Sequence, residues 1–117
     1  MSGGSTECLF CRIVAGEVPA DVVHETPRTL AFRDLGPQAP THVLVVSKDH
    51  HEDVAALSDA DPALLAEVVG AAVAVTRQEG LTGGFRLVTN TGVDAGQSVP
   101  HLHVHVLGGR SLQWPPG

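Results

Sequence analysis

A chain of 117 residues can bury one core but not two, and with 43% apolar and 17% charged residues it has the composition of a folded protein. Thirteen acidic residues against seven Lys and Arg leave a formal charge of −6, which argues against nucleic acid or an anionic membrane as partner, because either calls for a basic surface. No apolar run is long enough to span a bilayer, and Met1–Glu7 has neither the basic flank nor the apolar centre of an export signal, so the expected setting is soluble and cytoplasmic.

In chain order, residues 1–7 read as a flexible, Gly/Ser-rich start and residues 8–117 as a single domain without repeat or linker. Leu9, Ile13 and Val14 give Cys8–Ala15 the pattern of a short helix, closed by Gly16 and Pro19. Val22–His24, Leu30–Arg33 and Val43–Ser47 read as strands, punctuated by Thr26-Pro27, Gly36-Pro37 and Ala39-Pro40. The unbroken apolar run Val43–Val46 predicts a strand covered on both faces. The one long helix starts at the cap Asp61, takes Pro62 in its first turn and ends at Gly80. Leu64, Leu65, Val68, Val69, Ala72, Val73 and Thr76 form its core stripe. Gly70, Ala71, Ala74 and Val75 are small or apolar as well, so a second face is expected to be buried, as at a subunit interface. Gly84–Asn90 and Val99–Leu107 supply the last strands of an α+β domain with a mainly antiparallel sheet.

Tyr is absent and aromatics are scarce, while His is abundant at seven, three of them within five residues. In His101-Leu-His103-Val-His105-Val-Leu107, residues at every second position share one face of a strand, whereas a helix would scatter them. His101, His103 and His105 therefore form a row on one face, with Leu102, Val104 and Val106 turned to the core. A lone His would read as a tolerated polar residue; three in register read as functional. Two chemistries suit such a row. One is a metal site; the other is a nucleophile with proton carriers beside it. The preceding Asn90-Thr-Gly92-Val-Asp94-Ala-Gly96-Gln97-Ser98 is rich in small and hydroxyl residues, whose backbone N–H groups can meet an anion. Together, loop and row favour phosphoryl chemistry.

These segments resemble the histidine-triad (HIT) superfamily in its Hint, or histidine-triad nucleotide-binding, branch. The likeness rests on His101 to Arg110, on Ala31–His42 with its Asp34-Leu35-Gly-Pro37 core, on Ala95–Val99, and on the ending Trp114-Pro115-Pro116-Gly117. It implies a five-stranded antiparallel sheet with one long helix and a short N-terminal helix, paired into a homodimer. It also implies a hydrolase that binds purine nucleoside monophosphates and cleaves nucleoside 5′-phosphoramidates, of the adenosine 5′-monophosphoramidase type. By motif, His103 matches the nucleophile that becomes nucleotidylated and His105 the residue on the phosphate oxygens. Asn90, Gly96, Gln97 and Ser98 match the phosphate and leaving-group loop, Asp34 and Leu35 the ribose and base positions, and His42 a His behind the triad. Sister readings are a diadenosine-polyphosphate or related nucleotidyl hydrolase, and a nucleotide-binding regulatory dimer with incidental turnover. The chemistry itself needs no cofactor.

Cys8-Leu-Phe-Cys11 is a C-x-x-C without a second copy, which by itself is two helix-borne thiols. Within the superfamily, resemblance pairs it with His50 and His101 as a structural zinc site, a Cys2His2 set of suitable softness. The tail carries the only Trp, Trp114, ahead of two prolines. Likeness to the Hint branch places that tail near the partner subunit's site.

Overall fold

The third strand explains the architecture. In the computed structural model, which describes residues 8–117, β3 spans Thr41–Ser47 and every one of its residues is buried. It lies at the middle of a five-stranded antiparallel sheet of order β1-β2-β3-β5-β4, with β1 Val22–Glu25, β2 Thr29–Arg33, β4 Phe85–Val88 and β5 His103–Gly108. Val43 and Val45 point to one layer and Leu44 and Val46 to the other, as the unbroken apolar run predicts.

On the first face lies α3, Pro62–Gln78, whose Leu64, Val68, Ala71, Ala72 and Val75 pack on Ala31, Val43, Val45, Leu102, Val104 and Val106. Each fully buried Leu or Val there contributes about 1.5–3 kcal/mol relative to exposure. Asp61 caps this helix by accepting from the Leu64 N–H at 3.1 Å. At the far end Arg33 forks onto Glu79 at 2.8 and 3.1 Å, tying the end of β2 to the end of the helix. The stripe is rotated from its expected position: of the second face, Ala71 and Val75 are buried in this chain's own core, Ala74 is half-buried and Gly70 is exposed, while Val69, expected in the core stripe, is exposed within one chain.

On the second face sits α1, Leu9–Val14, with Phe10 and Cys11 packed on Leu30, Phe32, Leu44 and Val46. His103 and His105, paired with Val46 and Leu44, share this face.

Three features differ from the sequence reading. A second helix, α2 at Val54–Ala60, precedes α3; Asp53 caps it at 2.8 Å and Leu57 is its one buried residue, too little apolar signal for a periodicity. β5 begins at His103, not Val99, because Pro100 has no N–H and the Leu102 N–H goes to His51 O at 2.7 Å instead of to a neighbouring strand. β4 stops at Val88, where Thr89 turns its hydroxyl onto His103 O at 3.0 Å. The flexible start expected at residues 1–7 lies outside the described residues.

Candidate active site and metal centre

The strand register brings the histidines together. His103 pairs with Val46 and His105 with Leu44, so both imidazoles stand on the α1 face, beside His42 on β3. His101 lies just before the strand, yet its ring reaches the same side, 5.9 Å from the Phe10 ring, which also stands edge-on to His103 at 5.0 Å. The row read from the sequence therefore survives as a shared face, with its first member on the approach to the strand.

Hydrogen bonds set each imidazole's tautomer. His103 Nδ1 donates to the His101 carbonyl at 2.7 Å, which leaves Nε2 with its lone pair. Among the described residues, Nε2 has no hydrogen-bond partner, and no buried side-chain nitrogen or oxygen goes unpartnered. That nitrogen consequently opens to the surface, although the residue as a whole is buried. His42 Nδ1 accepts from the Gln38 N–H at 3.0 Å, so its proton is on Nε2 and is donated to His105 Nδ1 at 2.9 Å. His105 then carries its own proton on Nε2, facing outward as a donor. Burial first, then the neighbouring His103 and His42, push the His105 pKa down to about 4, with Asp34 opposing.

Asp34 follows the end of β2. Its Oδ1 accepts from the Gly36 N–H at 2.7 Å and its Oδ2 lies 3.5 Å from His42 Nε2. It borders a cavity of about 210 Å³ whose apolar walls include Phe10, Ile13, Phe32 and Leu44, with Leu35 wholly exposed at the rim. The sequence reading missed those four wall residues; only the alternation in β2 and β3 marks Phe32 and Leu44 as sharing the histidine face.

The loop between β4 and β5 turns through a 3₁₀ segment, Val93–Ala95, flanked by Gly92 at φ 86° and Gly96 at φ 87°, a backbone region that suits glycine. Gln97 builds this loop. Its Oε1 accepts from Gly92 N–H at 2.9 Å, while its Nε2 donates to Glu52 O at 2.7 Å and Val99 O at 3.1 Å. Its own N–H goes to Gly92 O, so every polar hydrogen of Gln97 serves the loop. Asn90 is half-buried and Ser98 exposed; Ser98 lines an open groove with Cys8, His50 and Glu52.

Cys8, Cys11, His50 and His101 present ligand atoms that all lie within 4.8 Å of one another. Cys8 Sγ is 3.3 Å from His101 Nδ1, and Cys11 Sγ is 3.3 Å from His50 Nδ1 and 3.5 Å from His101 Nδ1. A tetrahedral zinc with ordinary bond lengths has S···N edges of about 3.5 Å. His101 Nε2 donates to Ser47 O at 2.7 Å, which turns an unprotonated Nδ1 toward the thiols. Burial holds the His101 pKa down at about 4, keeping the ring in its ligating form. These residues fit zinc. Asp34, His42 and His105 also cluster within 4.8 Å, but there the proton on His42 Nε2 occupies the position a metal would need. That cluster suits proton transfer.

Residues 15–112 match the model of the HIT domain family. The chain belongs to that family. An uncharacterized HIT-like protein of Synechococcus elongatus is 48% identical over 113 residues, 97% of this chain and 99% of that one. A protein of Zea mays named 14 kDa zinc-binding protein is 44% identical over 111 residues, covering 93% and 87%. A crystal structure of a HIT family hydrolase from Legionella pneumophila superposes with a TM-score of 0.91 at 48% identity, covering 95% of this HIT chain and all of that one. Among the described residues of this HIT protein, no helix is long and apolar enough to cross a membrane.

Proposed function

We propose that this HIT protein is a hydrolase of the Hint type, cleaving purine nucleoside 5′-phosphoramidates through a nucleotidyl intermediate on His103. The observation that carries this reading is the opposed tautomers of two neighbouring rings. His103 keeps a bare Nε2 because the His101 carbonyl holds its other proton, and His105 keeps an Nε2 proton because His42 fills its Nδ1. One ring is thus a nucleophile and the next a donor.

The base enters the apolar cavity between Phe10, Ile13 and Phe32, near Leu35, and the ribose hydroxyls meet the Asp34 carboxylate. The phosphate lies against His105 Nε2, the Ser98 hydroxyl and the Asn90 amide, donors aimed at charge that grows during displacement, while the turn at Gly96 shapes the loop that presents them. His103 Nε2 attacks the α-phosphorus as the P–N bond breaks, and the departing nitrogen takes a proton from solvent, which the water attacking in the second step returns. Water then attacks phosphorus, releases the nucleoside monophosphate and returns His103 to its neutral form. His42 acts through His105, and Gln97 acts by shaping the loop. No step calls for a catalytic metal; zinc on Cys8, Cys11, His50 and His101 would supply a cross-link between α1 and the approach to β5. The open face of α3, with Val69 exposed, and the edge strand β4, with Phe85 exposed, are the surfaces offered for a homodimer.

The deciding assay offers purified protein adenosine 5′-phosphoramidate beside a His103→Ala control. Release of AMP by the first and not the second supports the reading. Turnover of diadenosine polyphosphate alone moves the protein to the sister branch, and saturable AMP binding without turnover of either makes it a nucleotide-binding regulator.

A further inference from the structure

Three consecutive residues, His50, His51 and Glu52, each hold a different part of the site. His50 Nδ1 faces Cys11 Sγ at 3.3 Å. The His51 carbonyl takes the Leu102 N–H at 2.7 Å, fixing the chain between His101 and His103. The Glu52 carbonyl takes the Gln97 amide at 2.7 Å, the bond that anchors the phosphate loop from outside. On the other side of the cluster, His101 uses its ring for the cysteines and its carbonyl for His103 Nδ1. Cys8 and Cys11 bracket Phe10, which stands against the rings of both His101 and His103 and also walls the base cavity.

We infer that the Cys8–Cys11–His50–His101 cluster is a positioning device for the nucleotide site, so that zinc there and nucleotide at His103 strengthen each other's binding. The inference rests on the nucleotide reading above. A metal joining His50 to His101 draws the 50–52 segment and the approach to β5 into one body. That body contains the acceptor that orients the nucleophile and the acceptor that anchors Gln97. A merely stabilising metal could sit anywhere on the domain; this one shares its ligand residues and their immediate neighbours with the catalytic hydrogen bonds. Coupling of this kind is reciprocal: the factor by which zinc raises AMP affinity equals the factor by which AMP raises zinc affinity.

The test measures zinc affinity by competition with a chromophoric chelator, with and without saturating AMP, in the wild type and in Gln97→Ala. AMP is expected to tighten zinc binding about tenfold or more. In Gln97→Ala, which severs the bond to Glu52 but keeps all four metal ligands, zinc still binds and the factor falls several-fold. Equal zinc affinity with and without AMP in the wild type overturns the inference. So does a factor that persists undiminished in Gln97→Ala, which is the signature of zinc acting only through global folding. Failure of the zinc-loaded wild type to bind AMP in calorimetry overturns the nucleotide reading instead, so the two failures are distinct.

Discussion

His101 and His103 are two residues apart, stand on one side of one sheet, and present opposite nitrogens. The His101 ring gives its Nε2 proton to Ser47 O and turns Nδ1 to the thiols; the His103 ring gives its Nδ1 proton to His101 O and turns Nε2 outward. Only the carbonyl within reach differs. An imidazole becomes a metal ligand or a phosphorus nucleophile according to which nitrogen the backbone has already satisfied. The same rule separates the two clusters as wholes, since His42 is protonated on the nitrogen that faces His105 and Asp34.

The largest effect is expected at His103, the proposed nucleophile. His103→Ala is expected to lower phosphoramidate turnover by about three orders of magnitude or more while AMP still binds, because only binding and electrostatic terms remain. A phosphorus adduct trapped on another residue would defeat this assignment. His42→Ala removes the donor that sets His105, and a loss of about a hundredfold in turnover is expected, the scale of a misplaced acid–base group. Imidazole nitrogen shifts should show His105 no longer held in its Nε2–H form; an unchanged tautomer would show that the His42 contact is incidental.

Across the divide, Cys11→Ser should act on the fold before the chemistry. Zinc content is expected to fall from about one per chain, and the unfolding midpoint by on the order of 10 °C. Metal-free wild-type protein melting at the same temperature as metal-loaded protein would reduce the cluster to two thiols and two histidines.

Legibility followed periodicity. The α1, α3 and β3 segments could be placed from apolar spacing and caps, and the His-x-His-x-His alternation fixed the shared face of His103 and His105. The metal set and the roles of Asp34 and His42 came from resemblance to a family, because their partners are distant in sequence. What stayed hidden depends on where backbone carbonyls and amides point. Nothing in the letters shows that Ser47 O meets His101, that Gln38 N–H meets His42, or that Glu52 O consumes an amide proton of Gln97. The short α2, with one buried leucine, offers no stripe to read.

A smaller effect is expected at the tail. Trp114 is 80% exposed within one chain, and Arg86 holds the preceding segment through Gln113 O at 2.9 Å. An exposed Trp on an anchored tail is suited to contact with a second subunit. Deleting Trp114–Gly117 should shift relative turnover among amines on a common nucleotide by a few-fold, with binding of the nucleoside nearly unchanged. Equal turnover ratios before and after the deletion would remove the tail from leaving-group recognition.

The smallest expected effect is an absence of titration. Burial, with His103 and His42 close by, pushes the His105 pKa down to about 4, well below the ordinary value of 6.5. Protonation is therefore resisted in the folded state and proceeds normally in the unfolded one. Stability from this ring is thus fully present above a pH of about 6.5 and is lost as the pH falls toward about 4, where the folded ring also takes its proton. In the folded protein without nucleotide, the His105 ring shifts should stay flat from about pH 8 to about pH 5. Movement centred near the ordinary histidine pKa would mean that the ring reaches water freely. A ring protonated on both nitrogens could not accept from His42 at Nδ1, and the proposed contrast between a fixed donor at His105 and a bare nucleophile at His103 would lose its physical basis.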